Sequence, residues 1–206
     1  MYEIFKATFF LDEVPPETRT TLKVSFEEAR LDELFTHFGG KSFNKSLYRV
    51  VSPKDVSFWN NIVTVAFPNF ADRITCFAVD WLGRIFALDS SRLVGNSPGV
   101  IMLEPGTAEA LEIPCNIESF HETELIQYQE EALAVSFFHQ WLSSGGSSPN
   151  LKQCIGYKTP LFMGGSDTVD NLEVVDLDVY WTISAKLIEK IRGLPKGTSL
   201  NHITIS

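Results

Sequence analysis

Apolar and polar positions alternate most clearly between Phe77 and Asp89, where FAVDWLGRIFALD sets two apolar runs on either side of a polar turn. Phe77, Val79, Ile85, Ala87 and Leu88 fit half-buried strands, and Gly83 supplies the backbone freedom that a tight connection needs. The pattern predicts a β-hairpin over residues 73–88. Trp81 falls in its turn, and two carboxylates, Asp80 and Asp89, fall near its ends.

Helical spacing dominates on both sides of the hairpin. Residues 12–21 (DEVPPETRTT) are polar, contain two prolines and read as a loop. Phe26, Ala29, Leu31, Leu34, Phe35 and Phe38 then recur at helical spacing, with Ser25 placed as an N-cap and Gly39-Gly40 as the stop. Residues 47–51 read as a short strand. Ser52-Pro53-Lys54-Asp55 opens a second helix, with Ser as cap, Pro in the first turn and Asp complementing the dipole. Val56, Trp59, Ile62, Val63 and Ala66 form its apolar face, and Pro68 ends it.

Past the hairpin, residues 91–99 read as a loop and residues 100–103 as a strand. Residues 108–113 fit a short strand or a helical turn. Asn116 is placed to cap a short helix containing Ile117 and Phe120. Residues 130–143 predict one longer helix, with Leu133, Ala134, Phe137, Phe138, Trp141 and Leu142 on its apolar face. Residues 143–149 (SSGGSSP) are the best candidate for a linker.

Beyond the linker, residues 159–162 and 172–175 read as strands around a Gly164-Gly165 turn. A last helix is expected from Asp178 to Arg192, with Tyr180, Ile183, Leu187, Ile188 and Ile191 inward and Gly193 and Pro195 beyond it. Residues 203–205 read as an edge strand. Strands and helices are interspersed without regular alternation, which predicts an α+β protein with a mixed or antiparallel sheet and flanking helices. Two closely packed parts are expected, residues 1–143 and 150–206.

Composition narrows the range of functions. The 206 residues are 44% hydrophobic and include 16 Phe, enough for a sizeable core and unlike a disordered chain. A net charge of −9 argues against direct binding to nucleic acid or to an anionic membrane, and it favours either a basic partner or plain solubility. The three cysteines, Cys76, Cys115 and Cys154, are odd in number and widely spaced, so they give neither a disulfide framework nor a metal-ligand pair. The N-terminus lacks the layout of a signal peptide, and no run approaches the ~18 apolar residues of a membrane span. A reducing cytoplasm is the expected compartment.

No catalytic motif of known spacing occurs. The four histidines, His37, His121, His139 and His202, stand near no GxSxG nucleophile, and His121 with Glu122 and Glu124 does not form HExxH. Gly164-Gly165-Ser166-Asp167 lacks the ending of a phosphate loop and reads as a turn. Pairs such as Asp80 with Asp89, or Asp176 with Asp178, leave a carboxylate-dependent enzyme as the least favoured option. No catalytic residue, metal or cofactor is expected.

Charge placement is more informative. Glu118, Glu122, Glu124, Glu130 and Glu131 form one acidic region, and Asp167, Asp170, Glu173, Asp176 and Asp178 form another. Together they are suited to steering a basic partner. Trp81, Tyr157, Tyr180 and Trp181 are candidate aromatic anchors or core residues.

Four segments carry a resemblance: GGKSFNKSLYRV at 39–50, FAVDWLGRIFALD at 77–89, MLEPGTAEALEIP at 102–114 and GYKTPLFMGGSDTVDNLEVVDLDVYW at 156–181. In this order the chain resembles bacterial type VI secretion immunity proteins, with a GAD-like N-terminal region and an immunity-type C-terminal region. The SMI1/KNR4-like immunity group is a more distant likeness. The resemblance implies a non-catalytic protein that binds a cognate secreted toxin, expected to be a basic nuclease, without touching nucleic acid or membrane. Asp80, Asp89, Asp167, Asp170, Asp176 and Asp178 are the residues expected at that interface. The alternative is a regulatory or scaffold module that binds another host protein.

Overall fold

In the computed structural model, which describes residues 2–13 and 28–192, six strands follow one another in chain order as an antiparallel meander. They are β1 (Ser42–Phe43), β2 (Tyr48–Val50), β3 (Ile74–Asp80), β4 (Ile85–Val94), β5 (Ser97–Glu104) and β6 (Glu109–Asn116). A second antiparallel pair joins β7 (Gln153–Tyr157) to β8 (Leu172–Asp176). The fold class is α+β with an antiparallel sheet, as the interspersed pattern implies.

The large sheet is apolar on both faces, so its central strands read as nearly unbroken hydrophobic runs. Successive side chains point to opposite faces. Phe86 and Leu88 of β4 and Val100 and Met102 of β5 enter one core. Ile85, Ala87, Ile101 and Leu103 enter the other. The first core is covered by α1 (Glu3–Thr8), α2 (Ala29–Phe38) and the helical turns that follow β6. The second is covered by α3 (Val56–Ala66) and the long C-terminal helix, which runs over Leu177–Ile191. Arg192 ties those two helices together at their ends by donating to the Val65 and Ala66 carbonyls, where the negative end of the α3 dipole welcomes a cation.

Several expectations are corrected here. Residues 91–99 are not a loop, because β4 and β5 continue to a hairpin tip at Gly95 and Asn96, both left-handed (φ 60° and 67°). This is the geometry of a two-residue primed turn, whose twist matches its strands. Residues 108–113 belong to strand β6, and Asn116 does cap a short helix, α4 (Ile117–Ser119), in a reciprocal box with Ser119. A π-helical turn (Phe120–Glu124) and the single turn α5 (Leu125–Gln127) follow.

The expected helix over 130–143 is two helices, α6 (Gln129–Leu133) and α7 (Val135–Ser143), broken at Ala134 with φ 49°. Residues 159–162 are not a strand but lead into a 3-10 turn at Leu161–Met163, and the partner of β8 is β7. The last helix, α8 (Leu177–Ile191), starts at Asp176, two residues before the expected cap. The expectations at Ser25, Phe26, Gly193, Pro195, His202 and residues 203–205 lie outside the described residues, as does most of the 12–21 loop.

The Ser/Gly segment after α7 folds back on its own helix. Trp141 donates its indole N–H to the Ser147 carbonyl at 2.9 Å, and Gly146 lies against the indole so closely that an added Cβ would meet its ring carbons.

Candidate partner-binding surface

The β3–β4 turn, which the sequence marks most strongly, is a buried joint rather than a surface. Asp80 and Trp81 are both 0% exposed. The Asp80 carboxylate accepts from Arg84 Nε at 2.6 Å and from the Arg84 backbone N–H at 2.9 Å. Burial pushes the Asp80 carboxyl above its usual range, and the Arg84 guanidinium opposes that rise. Arg49, itself buried, donates to the carbonyls of Asp80, Asn150 and Gln153.

The same turn reaches both helical layers. Arg84 donates to the Ala132 carbonyl at 3.0 Å, and the Trp81 indole donates to the Leu133 carbonyl at 2.8 Å. On the other side the Trp181 indole donates to the Gly83 carbonyl at 2.7 Å, and the Ile155 amide of β7 donates to the Trp81 carbonyl at 2.7 Å. Gly83 has φ +79°, and a Cβ there would sit 3.0 Å from Cys154 Sγ. Only glycine meets both demands at that position without strain.

Asp80 therefore leaves the set of interface residues, and so does Asp89. Asp89 is 0% exposed and forks onto Arg73, while the Ser91 N–H adds a third contact at 3.0 Å. Burial alone would raise its pKa, but the bonds from Arg73 and Ser91 prevail and hold it below the usual carboxylate range. Asp80 closes β3 and Asp89 lies inside β4 where its pairing with β5 shifts register, and each is consumed by an arginine that the fold brings to it. Trp81, Tyr180 and Trp181 are likewise core residues.

The remaining four aspartates lie on the C-terminal part. Asp167, Asp170, Asp176 and Asp178 are all exposed, as is Glu173 between them. The 158–171 loop that carries the first two is held rigidly. Asn171 accepts from the Thr159 N–H and donates to the Thr159 and Ser166 carbonyls, at 2.8–3.0 Å. Gly165 lies so near the Thr159 carbonyl that an added Cβ would stand 1.9 Å from it. Asp167 accepts from the buried Tyr157 hydroxyl at 2.7 Å. Asp176 precedes α8, and the Asp178 carboxylate accepts from the Val179 N–H at 2.8 Å. Exposed Val179 and Ile183 stand one turn apart on the adjoining helix surface.

The other acidic region is largely engaged in holding the fold. Glu122 accepts from the Ile4 and Phe5 amides and so caps α1 from across the chain. Glu118 pairs with Arg30 at 3.4 Å, and Glu130 accepts from the Ser136 amide and hydroxyl. The adjacent His121 is fully buried. Its Nδ1 faces the Ile117 carbonyl at 2.8 Å and its Nε2 faces the Tyr48 hydroxyl at 2.9 Å. Desolvation lowers its pKa to about 4, against a small opposing effect of the Ile117 carbonyl. A neutral imidazole donating from Nδ1 and accepting at Nε2 satisfies both contacts.

One groove of about 370 Å³ lies between the ends of α3 and α8, lined mainly by Ala66, Phe67, Pro68, Phe70, Ile188 and Ile191. It holds no acid or histidine. Among the described residues no group of three or more His, Cys, Asp or Glu is placed to hold a metal ion. Cys76, Cys115 and Cys154 are buried free thiols. Among the described residues no helix is long and apolar enough to cross a membrane.

These features define an α+β protein whose C-terminal part carries a run of exposed acids on and around β8. Residues 116–188 of the chain match the family model described as T6SS immunity protein Tdi1, C-terminal. The match takes in α4 to α7, both strands of the small sheet and most of α8, and it supports a type VI secretion immunity protein. The match does not bear on a GAD-like region over residues 1–143, whose last part it overlaps. The fold is similar to one solved as "Crystal structure of Atu4351 from Agrobacterium tumefaciens", with a TM-score of 0.59 and 17% identity over 90% of this chain and 89% of that one. No curated protein matches the chain.

Proposed function

We propose that this protein is a cytoplasmic immunity protein that binds a nuclease toxin of a type VI secretion system and holds it inactive by occupying its surface. The family match over residues 116–188 carries this reading. The nuclease assignment rests on complementary charge. A protein that grips a nucleic-acid backbone presents a basic surface, and a rigid acidic face competes for that surface by the same electrostatics. Asp167, Asp170, Asp176 and Asp178 form the docking set, with Glu173 added, and Asp80 and Asp89 do not belong to it. Inhibition of this kind needs no bond made or broken by the immunity protein.

Co-expression with the effector encoded beside its gene tests the reading. Cells carrying both are expected to survive, and the two proteins to co-purify. Replacing Asp167, Asp170, Asp176 and Asp178 by Lys is expected to slow association at least tenfold at low salt and to weaken protection. Death of cells carrying the wild-type pair, with no complex recovered, overturns the immunity reading. Unchanged protection by the folded Lys variant overturns electrostatic docking alone.

A further inference from the structure

The outer edge of β8 offers backbone groups that no described residue uses. Leu177 donates to the Lys152 carbonyl and Lys158 donates to the Asn171 carbonyl, at the two ends of the β7–β8 ladder. With Gln153 opposite Asp176 and Tyr157 opposite Leu172, these two bonds fix the phase of the pairing. Cys154 with Val175 and Gly156 with Glu173 exchange hydrogen bonds. Leu172, Val174 and Asp176 therefore point their own backbone groups away from β7. On the far side of the pair, the Ile155 amide is given to Trp81, as this phase requires.

On the β8 side, the Leu172 amide turns back to the Val169 carbonyl. The Leu172 carbonyl, both groups of Val174 and the Asp176 amide have no hydrogen-bond partner among the described residues. Four alternating groups over five residues form a short template for one more strand.

The flanking charge selects what can pair there. Residues 159–185 contain five acids, Asp167, Asp170, Glu173, Asp176 and Asp178, and no Lys or Arg. The nearest cations in sequence are Lys186, exposed on α8 ten residues past Asp176, and Lys158, whose ammonium is engaged by the Asp170 carbonyl at 2.8 Å. The outer strand of the large sheet differs. β6 contains Pro114, which has no N–H to offer, and Arg92 reaches over to the Ile113 carbonyl. That edge is interrupted at Ile113 and Pro114, whereas the Leu-Glu-Val-Val-Asp run of β8 has no proline.

We infer that the edge of β8 takes up an extended, basic segment of the toxin as an added strand centred on Val174. The inference rests on the immunity reading and specifies where and how contact is made.

Amide exchange measured on the full chain, free and bound to a catalytically inactivated copy of the neighbouring effector, tests it. The Val174 and Asp176 amides are expected to exchange at least tenfold more slowly in the complex. Val174→Pro removes one outward donor without touching the β7 ladder and is expected to weaken binding at least tenfold with little loss of thermal stability. A complex in which both amides exchange as in the free protein overturns the inference and leaves the immunity reading standing. Equal binding by folded Val174→Pro does the same. The exchange measurement uses only wild-type protein, so it decides the matter even if the proline variant fails to fold. If wild-type protein forms no complex at all, the immunity reading fails and this inference fails with it.

Discussion

Protonating His121 would place a positive charge amid the rings of Tyr2, Phe5, Tyr48, Phe77 and Phe120. Its nearest polar groups are the Tyr48 hydroxyl and the Ile117 carbonyl, and the imidazolium would have to donate to both. The folded protein thus holds His121 neutral down to about pH 4, while the unfolded chain takes up the proton near the ordinary value of 6.5. Because the folded pKa is the lower one, stability is complete above about pH 6.5 and falls as the pH drops towards 4. The gap corresponds to a loss on the order of 3 kcal/mol. Urea midpoints measured from pH 7 to pH 4.5 are expected to fall in this window, and His121→Gln, though less stable at pH 7, is expected to flatten the dependence there.

None of this is legible in the sequence, where His121 stands beside glutamates like a surface residue or a poor metal ligand. The π-helical turn sets the direction of each side chain, sending His121 inward and Glu122 to the start of α1. Asp80 and Asp89 mislead for a related reason. A carboxylate at the end of an apolar run reads as exposed, and the Arg73 that neutralises Asp89 lies sixteen positions away in sequence. Cys76 is the opposite case, since its place in the strand already marks it as a small core residue, and the structure buries it.

At the scale of elements, the β3–β4 turn determines where a helix ends. The Ala132 and Leu133 carbonyls would accept from the amides four residues on if α6 and α7 were continuous. Arg84 and Trp81 take those carbonyls, and the Ser136 amide turns to the Glu130 carboxylate. The apolar periodicity runs straight through this break, so the periodicity alone predicts one helix. Arg84→Met would leave Asp80 buried and unpaired, at an expected cost of about 3–5 kcal/mol in urea unfolding. Asp80→Asn combined with Arg84→Met is expected to recover only part of that loss, because the unpaired carboxylate is gone but the buried Arg49 guanidinium loses its nearest counter-charge. A double-mutant cycle measures the coupling.

Over the whole molecule, the fold class was readable because β3, β4 and β5 carry apolar residues on both faces and α3 and α8 present clear apolar stripes. The second sheet was only half readable. Residues 172–175 stand out as an apolar run, but Gln-Cys-Ile-Gly-Tyr of β7 shows no such pattern, and its Gly156 is required because Tyr180 packs 2.7 Å from where a Cβ would lie. The four exposed aspartates were visible as a charge cluster. What the sequence did not show is that they frame a strand with an open side, since that depends on the pairing phase set by Leu177 and Lys158.

One junction bears on how the molecule can be taken apart. Where the amide of Ile155 finds its acceptor at Trp81, the matched stretch 116–188 leans on a residue thirty-five positions upstream of its own start. That stretch is not a transplantable module. Expressed alone, it is expected to show no cooperative melting in calorimetry, since Trp181 and Ile155 would both lose their seats. Proteolytic nicking at Gly145, which has open space around it, is expected instead to yield two fragments that travel together through gel filtration.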